Sequence, residues 1–216
     1  MIYAILLAAG TGTRLRQKQI KPLVLIKQKP VFLYTVDTFL KQSKINRIFL
    51  VVNPKYTNQY KKWLTSSIYK RVIVCDGSVQ TRTQSLIKAM AFLNANYSIL
   101  PTDIIITHDA ARINVNSRII NDNICVAKKH GYASTVLPLA DSLCQLNKTI
   151  SYVSRDNKFL VQTPQTFQYK YWSSHIDNPR VTDLFTYLKL TLLTKHLVMG
   201  SNMNFKITNQ NDLIFE

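Results

Sequence analysis

IYAILLAAGTGTR, residues 2–14, joins a run of apolar residues to a loop of small residues that ends in a cation. The apolar run has the length of a buried strand, and Gly10 and Gly12 allow a sharp turn after it. Successive backbone N–H groups in such a loop can cradle phosphate oxygens. The loop lacks the third glycine of the dinucleotide fingerprint and the Gly-Lys-Ser/Thr of the P-loop. Taken alone, it therefore also fits a plain strand-to-helix turn.

Strand-length apolar runs and helical patterns alternate along the rest of the chain. The apolar runs fall at residues 3–7, 47–53, 71–75, 103–107, 134–139 and 196–199, and helical spacing falls at 30–41, 57–63, 82–94 and 117–129. This alternation predicts a Rossmann-like α/β fold, with a mostly parallel sheet and helices on both faces. Ligands of such sheets bind beyond the carboxyl ends of the strands, so the chemistry is expected just after each strand.

Residues 139–159 interrupt this alternation. They are polar, turn-rich and only weakly strand-like, which is too irregular for a helix and too long for an ordinary loop. We interpret them as a protruding β-arm on a single domain of residues 1–216. An arm that leaves its own domain must pack against something, and the commonest soluble assembly is a two-fold dimer. We therefore expect a homodimer with residues 139–159 as its dimerisation arm.

Composition excludes several classes of function. The net charge of +17 comes from scattered lysines with no run of five, which favours compositional bias over nucleic-acid binding. The three cysteines have no metal-ligand spacing, so we expect reduced thiols in the core. The N-terminus lacks a signal-peptide pattern, and no apolar run approaches the roughly 18 residues of a membrane span. We expect a cytoplasmic protein without a membrane partner.

Lys21 follows seven residues after Arg14, at the start of Lys-Pro-Leu. An Arg and a Lys directed at one polyphosphate suit nucleotidyl transfer, because charge develops on the α-phosphate and on departing pyrophosphate. Further motifs are THDAAR at residues 107–112, QTPQTF at 162–167, TD at 182–183 and NFKIT at 204–208. In this order and spacing, the motifs resemble the 2-C-methyl-D-erythritol 4-phosphate cytidylyltransferase family and the closely related ribitol-5-phosphate cytidylyltransferases.

The resemblance implies a role for each matching residue. Catalytic roles fall to Arg14, Lys21, Arg155 and Lys206, nucleotide binding to Ala8, Ala9, Gly10, Gly12, Gly77, Arg82 and Ser85, and acceptor binding to Asp109, Arg112, Ser142, Thr163 and Thr182. We expect Arg14 and Lys21 on an exposed loop. Arg112 is expected to hold Asp109 in place, and Asp109 is also a candidate metal ligand. Arg155 is expected to reach the partner subunit's site. His108 is expected to pack and hydrogen-bond rather than act as an acid or base.

The implied reaction is in-line attack by an acceptor phosphate oxygen on the α-phosphorus of CTP, with Mg²⁺ bridging the phosphates. No general base is needed, because the nucleophile is already an anion. We expect 2-C-methyl-D-erythritol 4-phosphate as acceptor, for isoprenoid precursor synthesis. Ribitol 5-phosphate is the alternative, because the opening MIYA and residues 118–142 resemble the ribitol enzymes and because Ser142 and Leu184 depart from the family pattern. Ile113, after HDAAR, favours the methylerythritol compound, and the order Lys21-Pro22 is that of the wider superfamily. A sugar-1-phosphate nucleotidyltransferase is disfavoured by QTPQTF, and a basic nucleic-acid-binding protein by the placement of the cations.

Overall fold

The protein is described from a computed structural model that covers residues 1–10, 20–147, 149–172 and 183–213. The strands are β1 (Ile2–Ala8), β2 (Leu25–Ile26), β3 (Lys29–Pro30), β4 (Arg47–Val52), β5 (Val72–Asp76), β6 (Ile104–Asp109), β7 (Tyr132–Pro138), β8 (Leu143–Leu146), β9 (Ile150–Val153), β10 (Phe159–Gln168) and β11 (Leu197–Met199). The α-helices are α1 (Val31–Leu40), α2 (Thr57–Lys62), α3 (Arg82–Asn96), α4 (Ser117–His130) and α5 (Leu184–Tyr187). The bounds of the strands and helices predicted from the sequence agree with the observed ones to within a few residues.

Seven strands form one sheet in the order β11-β7-β10-β6-β1-β4-β5. Strand β1 pairs in parallel with β6 and β4, β4 with β5, and β11 with β7, whereas β10 runs antiparallel to both β6 and β7. This confirms the mostly parallel sheet. The antiparallel β10 was missed as a strand, because its centre is the polar motif QTPQTF rather than an apolar run.

The two faces of the sheet carry separate cores. Ala4 and Leu6 of β1 pack into a cluster with residues of α1, α2 and α4. Tyr3 and Ile5, which alternate with them along the strand, pack into a second cluster with α3 and α5. Helices therefore cover both faces, as the alternation of elements predicts. Of the three cysteines expected in the core, Cys75 is buried, whereas Cys125 on α4 and Cys144 on β8 are exposed, so for these two the expectation is wrong.

A third, smaller apolar cluster lies under the loops at the carboxyl edge of the sheet. It is formed by Val24, Ile26, Val31, Ala111, Ile113 and Ile207. The backbone N–H of Ile207 donates to the carbonyl of Ala111 at 2.9 Å, which ties the C-terminal NFKIT segment to the residues after β6. Ile113 thus supplies a buried apolar side chain to this cluster.

The expected arm is a two-stranded hairpin of β8 and β9, separate from the main sheet. Its apolar side chains face outward, with Leu146 74%, Ile150 65% and Tyr152 85% exposed. The arm leads directly into β10, whose first residues are exposed and whose centre is buried. Across the part of the chain that the structure describes, every helix is too short or too polar to cross a bilayer.

Candidate active site

A cleft of about 280 Å³ opens at the carboxyl ends of β1, β5 and β6. Its lining residues are Leu7, Ala8, Ala9, Gly10, Lys21, Pro22, Ser78, Val79, Gln80, Thr81, Arg82, Ser85, Asp109, Ala111, Lys206 and Thr208. The cleft lies where ligands of open α/β sheets bind. It brings together eight of the residues that the sequence assigns to catalysis or binding: Ala8, Ala9, Gly10, Lys21, Arg82, Ser85, Asp109 and Lys206.

The Asp109 carboxylate bridges two cations at the centre of this cleft. Arg82 Nε donates to Oδ1 at 2.8 Å, and Lys206 Nζ donates to Oδ2 at 2.8 Å. Burial alone would raise the pKa of this carboxyl, but the two cations outweigh burial and hold the pKa well below its usual range. Asp109 is therefore ionised at neutral pH, and it links the first residue of α3 to the C-terminal segment.

Arg112 does not hold Asp109, contrary to the expectation from sequence. Within the described residues, the ion pairs of Asp109 are with Arg82 and Lys206. Arg112 Nη1 instead donates to the carbonyl of Asn204 at 2.8 Å. Its guanidinium therefore anchors the NFKIT segment that carries Lys206, and it contacts that segment rather than the Asp109 carboxylate.

Lys21 lies in a short 3₁₀ turn, Lys21–Leu23, and not on the exposed loop that the sequence suggested. Its residue surface is only 9% exposed, because Pro22 and Leu23 pack the turn onto the protein. Lys21 Nζ donates to the carbonyl of Ile207 at 2.9 Å. This contact places the Lys21 ammonium one residue along the chain from Lys206, so the two cations meet in one cleft.

The loop before α3 is held by Ser85 and Gly77. The backbone N–H of Ser78 donates to Ser85 Oγ at 3.0 Å, and that hydroxyl donates to the carbonyl of Ser78 at 2.8 Å. A side chain at position 77 would bring its Cβ to 2.6 Å from the Cβ of Ala9, a distance that requires the backbone to move. Gly77 therefore lets this loop pack against the loop after β1.

His108 and Thr163 lie directly behind Asp109, and both are buried. The backbone N–H of Asp109 donates to Thr163 Oγ1 at 3.1 Å, Thr163 Oγ1 lies 3.1 Å from His108 Nδ1, and His108 Nε2 lies 3.2 Å from the carbonyl of Arg112. Burial lowers the pKa of His108 to about 4, and its ring packs against Phe39. His108 thus packs and hydrogen-bonds, as expected, and it is neutral at physiological pH.

The remaining assigned residues fall outside this cleft or outside the described chain. Ser142 and Arg155 are exposed on the arm, where the Arg155 guanidinium donates to the carbonyl of Ala140. Neither contributes to the cleft of its own chain. Gly12, Arg14 and Thr182 lie outside the described residues, so their placement stays a prediction.

Asp109 is a poor ligand for a protein-held metal ion. Each of its oxygens already faces a cation, and a third cation would be repelled. Across the described residues, no three His, Cys, Asp or Glu side chains come together as a metal cage. The tentative metal assignment to Asp109 therefore does not fit its surroundings.

Two parts of the site were not anticipated from the sequence. The Asn204 side chain is fully buried and donates to Gln162 Oε1 at 3.0 Å and to the carbonyl of Thr163 at 2.9 Å. The carbonyl of Ile207 holds Lys21. The motif NFKIT signals Asn204 by position, but no side-chain pattern can signal a role for a backbone carbonyl.

Comparison with known proteins gives consistent relatives over nearly the whole chain. A family model described as "IspD: 2-C-methyl-D-erythritol 4-phosphate cytidylyltransferase" matches residues 2–216. The ribitol-5-phosphate cytidylyltransferase of Lactiplantibacillus plantarum is 30% identical, over 99% of this chain and 95% of its own. The 2-C-methyl-D-erythritol 4-phosphate cytidylyltransferase of Thermosipho melanesiensis is 32% identical, over 99% and 95%. A crystal structure of a 4-diphosphocytidyl-2C-methyl-D-erythritol synthase superposes with a TM-score of 0.80 at 25% identity, covering 98% of this chain and 94% of that one.

Proposed function

The chain belongs to the 2-C-methyl-D-erythritol 4-phosphate cytidylyltransferase family, and we propose that 2-C-methyl-D-erythritol 4-phosphate is its acceptor. As a family member it is a cytidylyltransferase that acts on CTP and a sugar-alcohol phosphate. The proposed products are 4-CDP-2-C-methyl-D-erythritol, a precursor for isoprenoids, and pyrophosphate. The cleft that Lys21, Arg82, Asp109 and Lys206 line together supports transfer between phosphates, and the family description supports this choice of acceptor.

The proposed chemistry needs cations rather than a base. The acceptor phosphate oxygen attacks the α-phosphorus of CTP in line with the departing pyrophosphate. Lys21, together with Arg14, neutralises charge that grows on the triphosphate during the transfer. Buried as it is, the Lys21 ammonium acts in a medium of low dielectric constant, where its field is weakly screened.

We assign Lys206 to the acceptor phosphate. Before the acceptor binds, its ammonium is neutralised by Asp109 at 2.8 Å. A phosphate carries more negative charge than one carboxylate oxygen and presents three acceptor oxygens, so it competes well for this ammonium. Asp109 keeps its second partner, Arg82, and so the carboxylate is not left unpaired while Lys206 turns to the acceptor.

The loop before α3 is proposed to read the cytosine ring. Its backbone geometry is fixed by the two hydrogen bonds between Ser78 and Ser85 and by the close approach of Gly77 to Ala9. A pocket of fixed backbone N–H and C=O groups can distinguish a pyrimidine without charged side chains. Arg82, at the start of α3, ties this loop to Asp109 and so to the acceptor side.

Magnesium is proposed to enter on the triphosphate of CTP. Magnesium keeps several waters and prefers substrate phosphate oxygens to an all-protein cage, which agrees with the lack of a carboxylate cluster in the described residues. There it would neutralise phosphate charge.

We also propose a homodimer with shared sites. The arm exposes Leu146, Ile150 and Tyr152 together, and a contiguous exposed apolar surface of this kind is typical of an interface. Ser142 and Arg155 stand on the same arm, away from the cleft of their own chain. In a two-fold dimer, the arm would carry Arg155 to the partner's acceptor.

Ribitol 5-phosphate is the second candidate acceptor. It is favoured by the relatives of Lactiplantibacillus plantarum and Lacticaseibacillus paracasei, which are 30% and 27% identical and carry that acceptor in their names. The family description and the structural match favour the methylerythritol compound instead. Both acceptors present a phosphate to Lys206, so the difference must lie in contacts with the carbon chain.

A comparison of the two acceptors in separate turnover assays tests the proposal. Purified protein is given CTP, Mg²⁺ and each polyol phosphate in turn, and pyrophosphate release and the CDP-linked product are measured. We expect kcat/KM for 2-C-methyl-D-erythritol 4-phosphate to exceed that for ribitol 5-phosphate by about tenfold or more, the range that a few pocket contacts supply. A Lys21→Met preparation controls for contaminating activity. The reverse order of kcat/KM would assign the ribitol reaction to this chain.

A further inference from the structure

We infer that His108 and Thr163 act as positioning residues that hold Asp109 between its two cations, and that Thr163 does not serve the acceptor as a hydrogen-bond donor. This inference rests on the proposed function for the identity of the reaction. It differs from the role that the sequence resemblance assigns to Thr163, which is direct contact with the acceptor.

The partners of His108 fix the direction of its two hydrogen bonds. The carbonyl of Arg112 can only accept a hydrogen bond. His108 Nε2, which lies 3.2 Å from this oxygen, must therefore be the protonated nitrogen and the donor. In a neutral imidazole the other nitrogen, Nδ1, is then an acceptor. Its partner at 3.1 Å is Thr163 Oγ1, and so the threonine hydroxyl must be the donor.

The Thr163 hydroxyl has no proton left for an acceptor. Its single hydroxyl proton is used by His108, and one lone pair accepts the backbone N–H of Asp109 at 3.1 Å. The side chain is buried and does not line the cleft. Thr163 therefore has no proton to offer to an acceptor phosphate, and its contact with the site passes through the backbone of Asp109.

The same hydrogen-bond network also reaches the segment that carries Lys206. Arg112, whose backbone carbonyl accepts the hydrogen bond from His108, donates from its side-chain Nη1 to the carbonyl of Asn204 at 2.8 Å. The Asn204 side chain, which lies two residues before Lys206, in turn donates to the carbonyl of Thr163 at 2.9 Å. The chain of hydrogen bonds thus fixes Asp109 and the segment of Lys206 relative to one another, which sets the separation of Arg82 and Lys206 across the carboxylate.

A double-mutant cycle tests whether these residues act as one unit. Thr163→Val removes the hydroxyl and keeps the shape, whereas Thr163→Ser keeps the hydroxyl. His108→Gln presents its amide near the position of Nε2 and removes the acceptor at Nδ1. We expect Thr163→Val and His108→Gln each to lower kcat/KM for the acceptor about tenfold, the effect of one lost hydrogen bond. The double variant should lose about tenfold and not a hundredfold, because both changes break one chain of contacts.

Two further measurements separate positioning from general damage. Thr163→Ser should recover most of the lost kcat/KM, and the affinity for CTP should stay within about twofold of wild type. Thr107→Val is the matched control, because Thr107 is buried on the same strand pair and its hydroxyl donates to the carbonyl of Gln165 at 3.1 Å. Thr107→Val should leave kcat/KM for the acceptor within about twofold of wild type, because this hydroxyl bonds no member of the His108–Thr163 network.

The outcomes are decisive whichever acceptor is used. If the effects of Thr163→Val and His108→Gln multiply, the two residues do not act as one unit and the positioning role is wrong. If Thr163→Ser fails to restore turnover, the hydroxyl is not the group that matters and the positioning role is also wrong. If wild-type protein turns over neither polyol phosphate, the proposed function fails. The same cycle is then read in thermal unfolding, where non-additivity supports the hydrogen-bonded unit and additivity overturns it.

Discussion

The carboxyl end of β6 and the arm of residues 139–159 differ in whether their side chains find partners within the chain. At Asp109 every charge has a partner from the same chain, supplied by Arg82 and Lys206. On the arm, Leu146, Ile150 and Tyr152 turn apolar surface toward solvent. Burial with full pairing is typical of a site built by one chain, whereas unpaired apolar surface is typical of a site that needs a second molecule. This chain therefore carries most of one candidate active site and, on our proposal, an arm that completes the site of a partner.

The largest effect should come from the self-contained region. Lys21→Met keeps the aliphatic stem that fills the buried turn and removes the charge, so we expect kcat to fall about a hundredfold or more, as for loss of one group that stabilises transition-state charge. Steady-state kinetics and the melting temperature are measured together. Lys44→Ala, an exposed lysine in the turn before β4, is the matched control. Turnover near wild type in Lys21→Met would remove Lys21 from the mechanism.

The second prediction concerns pH and the buried side of the site. The folded-state pKa of His108 is about 4, below its unfolded value near 6.5, so folding favours the neutral ring. His108 then imposes no penalty above pH 6.5, and stability is lost as pH falls from 6.5 towards 4, by up to about 3 kcal/mol. Asp109, Arg112 and Arg82 are the charged groups that act on this ring.

Chemical denaturation of wild type and His108→Asn between pH 7 and pH 4 checks this. The difference in free energy of unfolding between the two proteins should shrink or reverse as the pH falls, because only the wild type must charge a buried ring. Curves that stay parallel over this range would show that His108 titrates alike in both states.

The third prediction separates the two substrates inside the cleft. Lys206→Ala should raise KM for the acceptor about tenfold or more, the effect of one charge-assisted hydrogen bond. Calorimetric titration with CTP and Mg²⁺ should change little. Lys195→Ala, an exposed lysine of the same C-terminal region, should leave both values unchanged. A large loss of CTP affinity in Lys206→Ala would place this lysine on the nucleotide side.

The smallest effect tests the arm. Lys21→Met and Arg155→Ala chains are each expected to be poorly active, and mixing them in equal amounts should restore about a quarter of wild-type activity. Half of the dimers would be mixed in a two-fold assembly, and each would hold one intact composite site. If labelled chains exchange and no activity returns, Arg155 does not complete the site of a partner.

The sequence was informative where structure follows from local pattern. Apolar runs and helical spacing predicted the sheet and its covering helices, and the ends of those strands located the cleft. Pattern failed at β10, because Gln162 and Gln165 are buried polar residues whose partners, Asn204 and Asp183, come from distant segments. Sequence pattern also failed to predict the ion pairs of Asp109. Which of Arg82, Arg112 and Lys206 contacts this carboxylate depends on how segments distant in sequence pack together.

Strand β10 joins the two compared regions without a break. It leaves the arm at Phe159, where its side chains are exposed, and runs between β6 and β7 to Gln168. The pairing of β10 with β7 shifts between these two ends: Val161 pairs with Val136 but Gln165 pairs with Ser134, so β10 advances four residues where β7 advances two. Such an irregularity separates the register on the arm side from the register on the side of the active centre. A change of length on the arm side can therefore be absorbed before Gln165, while the pairing of Gln165–Gln168 with β6 and β7 is kept.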